Sequence, residues 1–128
     1  MILLDTCALL WWTLEPENLS AKASEIVANI QEQGAFISSI SFWEIGIKVR
    51  KGSLYLPISL LEFANRIRKL GFLEIIPIDE KIWIENINLD WSHRDPADRT
   101  IVATAMLHDL SILTKDRLIL DFYDKAVW

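Results

Sequence analysis

Residues 2–6 read Ile2-Leu3-Leu4-Asp5-Thr6, three branched apolar side chains that run into a carboxylate and a hydroxyl. The apolar run has no polar face, so it calls for burial on both sides, as a central strand of a parallel sheet has. A buried strand gains nothing by ending in a charge. Asp5 therefore sits where the fold puts a charge to use. In open parallel sheets the binding crevice lies at the carboxyl ends of the strands.

Further short apolar segments follow at Ala35–Ile40, Phe72–Ile78 and Ser111–Thr114, with an edge strand over Ala126–Trp128. Helical segments separate them. One covers Cys7–Leu14 and ends before Pro16, and a second runs from an N-cap at Ser20 through Gln33 to a stop at Gly34. A third spans Phe42 to Lys51, closed by Gly52. Ser59 and Glu62 form a capping box for a fourth that stops at Gly71. Asp79 caps a helix to Leu89, the polar stretch DWSHRDPAD is a loop, Pro96–His108 is a helix, and Asp116 starts a last short one. Strands alternating with helices imply βαβ crossovers. The expected fold class is α/β, a three-layer α/β/α sandwich around a central parallel sheet of about five short strands. No repeat or Pro/Gly linker interrupts the chain, so residues 1–128 are read as a single domain.

The bulk numbers narrow the function classes. Hydrophobic residues make up 52% of the 128 and charged ones 24%, a globular balance. The formal charge of -5 argues against nonspecific duplex binding through a broad basic face. It leaves nucleic acid open, because acids that hold cations reverse the local field. The single Cys7 excludes an intramolecular disulfide and suits a reducing compartment. The apolar start lacks a basic n-region and is interrupted by Asp5, so it is not read as a signal peptide. No uncharged apolar run reaches the ~18 residues of a membrane span. The expectation is a soluble, cytoplasmic protein with no membrane partner.

Each buried strand leads to an acid. Glu44 follows the second in SFWEI, Asp116 follows SILT, and Asp95 and Asp98 stand in DPAD at a helix start. Singly, each has a structural reading: Ser41 with Glu44 matches a capping box, Asp95 an N-cap ahead of Pro96, and Asp116 a cap of the final helix. Jointly they read differently. Carboxylates gathered at one edge repel one another and hold their protons unless a cation intervenes. Oxygen ligands without Cys or His select Mg²⁺ or Mn²⁺ over zinc. Such ions generate a nucleophile, orient a phosphate and stabilise the leaving oxygen in phosphodiester hydrolysis.

The order LLDT, S-x-x-E-I, HRDPADRTIVATA and LTKD resembles the PIN domain family, and within it the VapC-type toxins of toxin–antitoxin pairs. The likeness runs from Asp5 to Asp116. It implies a Mg²⁺- or Mn²⁺-dependent endoribonuclease acting on RNA, a cognate antitoxin protein as partner, and a homodimer. Carried over, Asp5, Glu44, Asp98 and Asp116 match the catalytic, metal-binding acids. Thr6 and Thr114 match hydroxyl positions that orient the acids or water. Asp95 belongs to the HxDPxDR variant and is held as a supporting acid. Arg99 is a further supporting residue, either pairing with Asp98 or contacting a scissile phosphate. Cys7 departs from the small polar residue common after the DT pair and is read as packing.

Other groups have weaker claims. Lys48, Arg50 and Lys51, like Arg66, Arg68 and Lys69, read as solvated helix faces, with steering of RNA phosphates as the alternative. His93 and His108 lack metal-ligand spacing, and Trp11, Trp12 and Trp43 read as core. Three other functions compete with a ribonuclease. A non-catalytic RNA- or protein-binding module is disfavoured by the presence of all four acids. A phospho-acceptor receiver is disfavoured by the single acid after the first strand. A structure-specific DNA nuclease usually needs DNA-gripping segments that this length does not accommodate.

Overall fold

The computed structural model describes residues Met1–Trp128. Its five strands are β1 (Ile2–Leu4), β2 (Ala35–Ser38), β3 (Leu73–Ile76), β4 (Ser111–Leu113) and β5 (Ala126–Val127). All neighbours pair in parallel, in the order β3-β2-β1-β4-β5, which puts the ILL run at the centre of the sheet. Leu3 lies opposite Phe36 and Ile112, and Leu4 opposite Ile37 and Leu113.

Eight helices cover the sheet: α1 (Thr6–Leu14), α2 (Ala21–Ala28), α3 (Ile30–Gln33), α4 (Ile40–Arg50), α5 (Leu60–Lys69), α6 (Glu80–Asn88), α7 (Pro96–His108) and α8 (Arg117–Phe122). A strand's side chains alternate between its two faces. Leu3 and Ile112 accordingly join one core with Ile82 of α6, Ile101 and Val102 of α7 and Ile119 of α8. Leu4 and Leu113 join the other, with Leu9 of α1, Ile30 of α3, Ile45 of α4 and Phe63 and Ile67 of α5. Two helical layers on one parallel sheet make the expected α/β/α sandwich. No helix is long and apolar enough to cross a membrane.

Local boundaries depart from the sequence reading in three places. The helix expected from Ser20 to Gln33 divides at Asn29, whose amide bonds back to the Ile26 and Val27 carbonyls while its side chain bonds to the Glu25 carbonyl. The second strand stops at Ser38, and α4 starts at Ile40, two residues earlier than Phe42. There the Ser38 hydroxyl accepts from the Ile40 amide at 3.2 Å and turns the chain. The third strand ends at Ile76 because Pro77 has no N–H for the ladder. The early start of α4 has consequences for Glu44. Ser41 falls inside the helix and is fully buried, with no capping role, so the capping-box reading of Ser41 and Glu44 does not apply.

Candidate metal and catalytic site

Asp5 is the first residue beyond β1 and the N-cap of α1. Its Oδ1 accepts from the Ala8 amide at 2.7 Å, and its Oδ2 accepts from the Thr114 hydroxyl. The backbone is pinned as well, with the Asp5 amide donating to the Leu113 carbonyl at 3.1 Å. The residue is only 5% exposed. Burial pushes its carboxyl up to about 7, against the pull of these two hydrogen bonds, and the negative charges of Asp98 and Glu44 add to the rise.

The next residue ties in the second acid. The buried Thr6 hydroxyl donates to Glu44 Oε1 and lies 2.9 Å from the Ser41 hydroxyl. Ser41 and Glu44 are three apart on α4 and so share its face. One turn of helix thus supplies both a carboxylate and a hydroxyl to the Thr6 contact. Ser41 was missed as a site residue at the sequence level because S-x-x-E is also the signature of a helix cap.

Asp98 and Asp95 divide the work at the start of α7. Asp95 is the exposed N-cap, its Oδ1 accepting from the Ala97 and Asp98 amides at 2.9 and 3.1 Å, with Pro96 at the first helical position. Asp98 in the first turn faces inward, and its Oδ2 lies 2.7 Å from His93 Nε2. Burial raises the Asp98 carboxyl to about 6, the His93 hydrogen bond opposes this, and the charges of Asp95, Asp116 and Glu44 add to it. His93 had no ligand spacing to mark it. Its offset of five from Asp98 matches no helical or strand register, so only the path of the loop brings them together.

Arg99 does not face this pocket. Its Nη1 donates to the carbonyls of Trp91 and His93 at 2.6 and 3.0 Å, its Nη2 to those of Asn86 and Leu89, and its Nε to Asn86 Oδ1 at 3.3 Å. A guanidinium has five N–H donors. All five are engaged, so neither an Asp98 pair nor a phosphate contact finds a free donor.

Asp116 closes the ring from β4. Its amide donates to the Thr114 hydroxyl oxygen at 3.0 Å, and its own Oδ1 caps α8 through the Leu118 amide at 2.8 Å. The cap reading of Asp116 holds, and its side chain lines the pocket as well. A pocket of about 270 Å³ is lined by Asp5, Thr6, Cys7, Glu44, Asp98 and Asp116 together with Lys48, Ile101 and Lys115. The four acids expected to converge all reach it, and Asp95 and Arg99 do not. Thr114 stands behind Asp5, fully buried. A larger depression of about 670 Å³ lies at the opposite edge of the sheet, by the starts of β2 and β3, and has no such gathering of acids.

The donor set suits a divalent cation. His93 Nε2 and one oxygen each from Asp98 and Asp116 lie within 4.8 Å of one another, and Asp5 and Glu44 face the same space. The Asp5 and Asp98 carboxyls, raised by burial and by neighbouring negative charge, are drawn back toward the charged form when a cation arrives. Mainly oxygen donors suit a hard divalent cation.

Two cations also reach the pocket. Lys48 lies on α4, while Lys115 sits with its ammonium 4.9 Å from the centre of the Trp11 ring. Arg50, Lys51, Arg66, Arg68 and Lys69 stay solvent-exposed, with Arg66 paired to Glu62 at 3.1 Å. Cys7 is half-buried on the pocket wall, and burial pushes its thiol up. Trp11 and Trp12 pack partly buried against Trp128 and Phe72. Trp43 differs from the core expectation and is 55% exposed.

Comparison with known proteins places these observations in a family. The PIN domain family matches residues 2–125. Ribonuclease VapC22 of Mycobacterium tuberculosis (strain ATCC 25618 / H37Rv) is 30% identical over 117 residues, covering 91% of this chain and 87% of that protein. A toxin–antitoxin complex from Klebsiella pneumoniae superposes with a TM-score of 0.69 at 21% identity, over 100% of this chain and 97% of that one. FitAcB from Neisseria gonorrhoeae gives 0.68 at 23%, over 100% and 96%. VapBC2 from Rickettsia felis, solved with a fragment of its promoter DNA, gives 0.65 at 16%, over 100% and 98%. At these identities the solved structures speak for the fold.

Proposed function

The chain belongs to the PIN domain family, and from that premise we propose that it is a Mg²⁺- or Mn²⁺-dependent endoribonuclease, the toxin of a toxin–antitoxin pair. The observation that carries the reading is the convergence of Asp5, Glu44, Asp98 and Asp116 on one pocket from four distant stretches of sequence. The similarity to a ribonuclease supports RNA as the substrate class.

A divalent cation bound there supplies positive charge for a phosphodiester and makes water a stronger acid. The chain's own residues do the rest. The four acids would hold the ion, with Thr114 fixing Asp5 through Oδ2 and Thr6 fixing Glu44 through Oε1. That leaves Glu44 Oε2 to accept the proton of an attacking water. Lys48 and Lys115 meet the non-bridging phosphate oxygens as point charges.

An antitoxin partner is proposed from the similarity to a toxin–antitoxin complex from Klebsiella pneumoniae. A homodimer is proposed on a feature of α6, which leaves Trp83, Ile84 and Ile87 exposed at 45%, 57% and 77%. Contiguous exposed apolar side chains of that kind mark contact surfaces. The free Cys7 goes with a cytoplasmic setting.

The deciding experiment is cleavage of a mixed RNA pool by purified protein in Mn²⁺ or EDTA, alongside Asp5→Asn. Metal-dependent cutting that disappears in a folded Asp5→Asn protein is the expected result. Metal-dependent binding of RNA without cutting would favour the non-catalytic module.

A further inference from the structure

The loop between α6 and α7 is held far more firmly than a surface connection requires. Arg99 gathers four of its neighbouring carbonyls, those of Asn86, Leu89, Trp91 and His93, onto one guanidinium. Two of these, Asn86 and Leu89, belong to the end of α6, where unpaired carbonyls and the helix dipole attract a cation. Asn86 completes the frame, accepting from Arg99 Nε and donating to the Thr100 hydroxyl at 3.0 Å. On the other side the Trp91 ring stacks on Phe122 of α8 at 4.5 Å and lies 4.8 Å from the His93 ring. What this frame delivers is one contact, His93 Nε2 at 2.7 Å from Asp98 Oδ2, with both side chains mostly buried.

We propose that His93 is a positioning residue for Asp98, set in place by Arg99 and Trp91. The imidazole donates its Nε2 hydrogen to Asp98 Oδ2, fixing that oxygen and leaving Oδ1 for a divalent cation. Arg99 works one step further out, with no contact to substrate. The loop is therefore part of the site although none of its backbone lines the pocket. The role rests on the nuclease reading above. It adds a histidine and a guanidinium clamp to a set otherwise made of acids and hydroxyls. Partners that orient metal ligands typically affect metal affinity or activity roughly tenfold to a hundredfold.

The test measures the Mn²⁺ dissociation constant by electron paramagnetic resonance and the rate of RNA cleavage for wild type, His93→Ala, His93→Gln, Arg99→Lys and the double variant His93→Ala/Arg99→Lys. Circular dichroism and thermal melting establish that each is folded. Weaker Mn²⁺ binding in His93→Ala is expected, by roughly tenfold or more. His93→Gln, which keeps an amide N–H at about the reach of Nε2, restores most of it. Arg99→Lys reproduces the loss, and the double variant is no worse than either single one, as residues acting through one contact are non-additive. Wild-type Mn²⁺ affinity and cutting in a folded His93→Ala protein overturn the positioning role and leave the nuclease intact. Multiplying losses in the double variant overturn the part assigned to Arg99. A wild-type protein that neither binds Mn²⁺ nor cuts RNA overturns the nuclease reading and this role with it.

Discussion

The Thr114 hydroxyl donates to Asp5 Oδ2, joining residues 109 positions apart across the adjacent ends of β4 and β1. The same hydroxyl oxygen accepts from the Asp116 amide at 3.0 Å. One side chain thus couples the first acid of the chain to the last. Replacing it by the isosteric Val removes both bonds and leaves a buried carboxylate oxygen without a donor. Thr114→Val is expected to lose about 1–3 kcal/mol of stability, the cost of leaving a buried polar group without its partner. Urea unfolding at pH 7 measures this, and an unchanged midpoint would show that the bond contributes nothing net.

Thr6→Val should separate function from folding in a different way. It removes the donor to Glu44 Oε1 and leaves the buried Ser41 hydroxyl without its neighbour. The expected result is a cleavage rate constant reduced roughly tenfold or more, with KM held, since an orienting contact and not substrate binding is lost. Steady-state kinetics on a short RNA decides it. A rise in KM alone would assign Thr6 to the substrate instead.

The metal-free protein should lose stability as pH rises. Asp5 has a carboxyl near 7 when folded against an ordinary 3.8, so between these values the folded state keeps a proton that the unfolded chain has released. A group raised in this way leaves stability fully present below about pH 4 and lost as pH climbs through 7, by about 4 kcal/mol at most for Asp5. Asp98, raised to about 6, acts in the same direction. In EDTA, melting at pH 5 should exceed melting at pH 8. Asp5→Asn should narrow the gap, and Mn²⁺ should raise the melting temperature mainly at pH 8. A metal-free protein steadier at pH 8 than at pH 5 would contradict the burial argument.

Ile87→Asp tests the proposed dimer. At 77% exposure the side chain has little to lose within the protomer, so melting should shift little beyond any loss of the dimer contact. Light scattering is expected to give the mass of two chains for wild type and of one for the variant. Wild type at the mass of one chain would remove α6 as a self-contact.

Much of the fold was legible because it rests on local pattern. The ILL run called for a strand buried on both faces, and Gly34 and Gly71 marked where helices stop, whereas the strand expected to run through Pro77 ended before it. The acids could be read because each follows a strand or opens a helix, positions that a parallel sheet brings to one edge. What could not be read was the role of residues whose register is set by a loop. His93 reached Asp98, Arg99 turned its five donors away from the site, and Ser41 entered the helix it had seemed to cap.

The sequence by itself determined the layers and which carboxylates would meet, since burial and strand polarity follow from the order of side chains along the chain. Only the tertiary structure decided what each acid touches. A hydrogen bond needs a donor within about 3 Å at a suitable angle, and that depends on the path of distant segments. Thr114 on Asp5, Thr6 on Glu44 and His93 on Asp98 are contacts of this kind, fixed when the sheet and its two helical layers close.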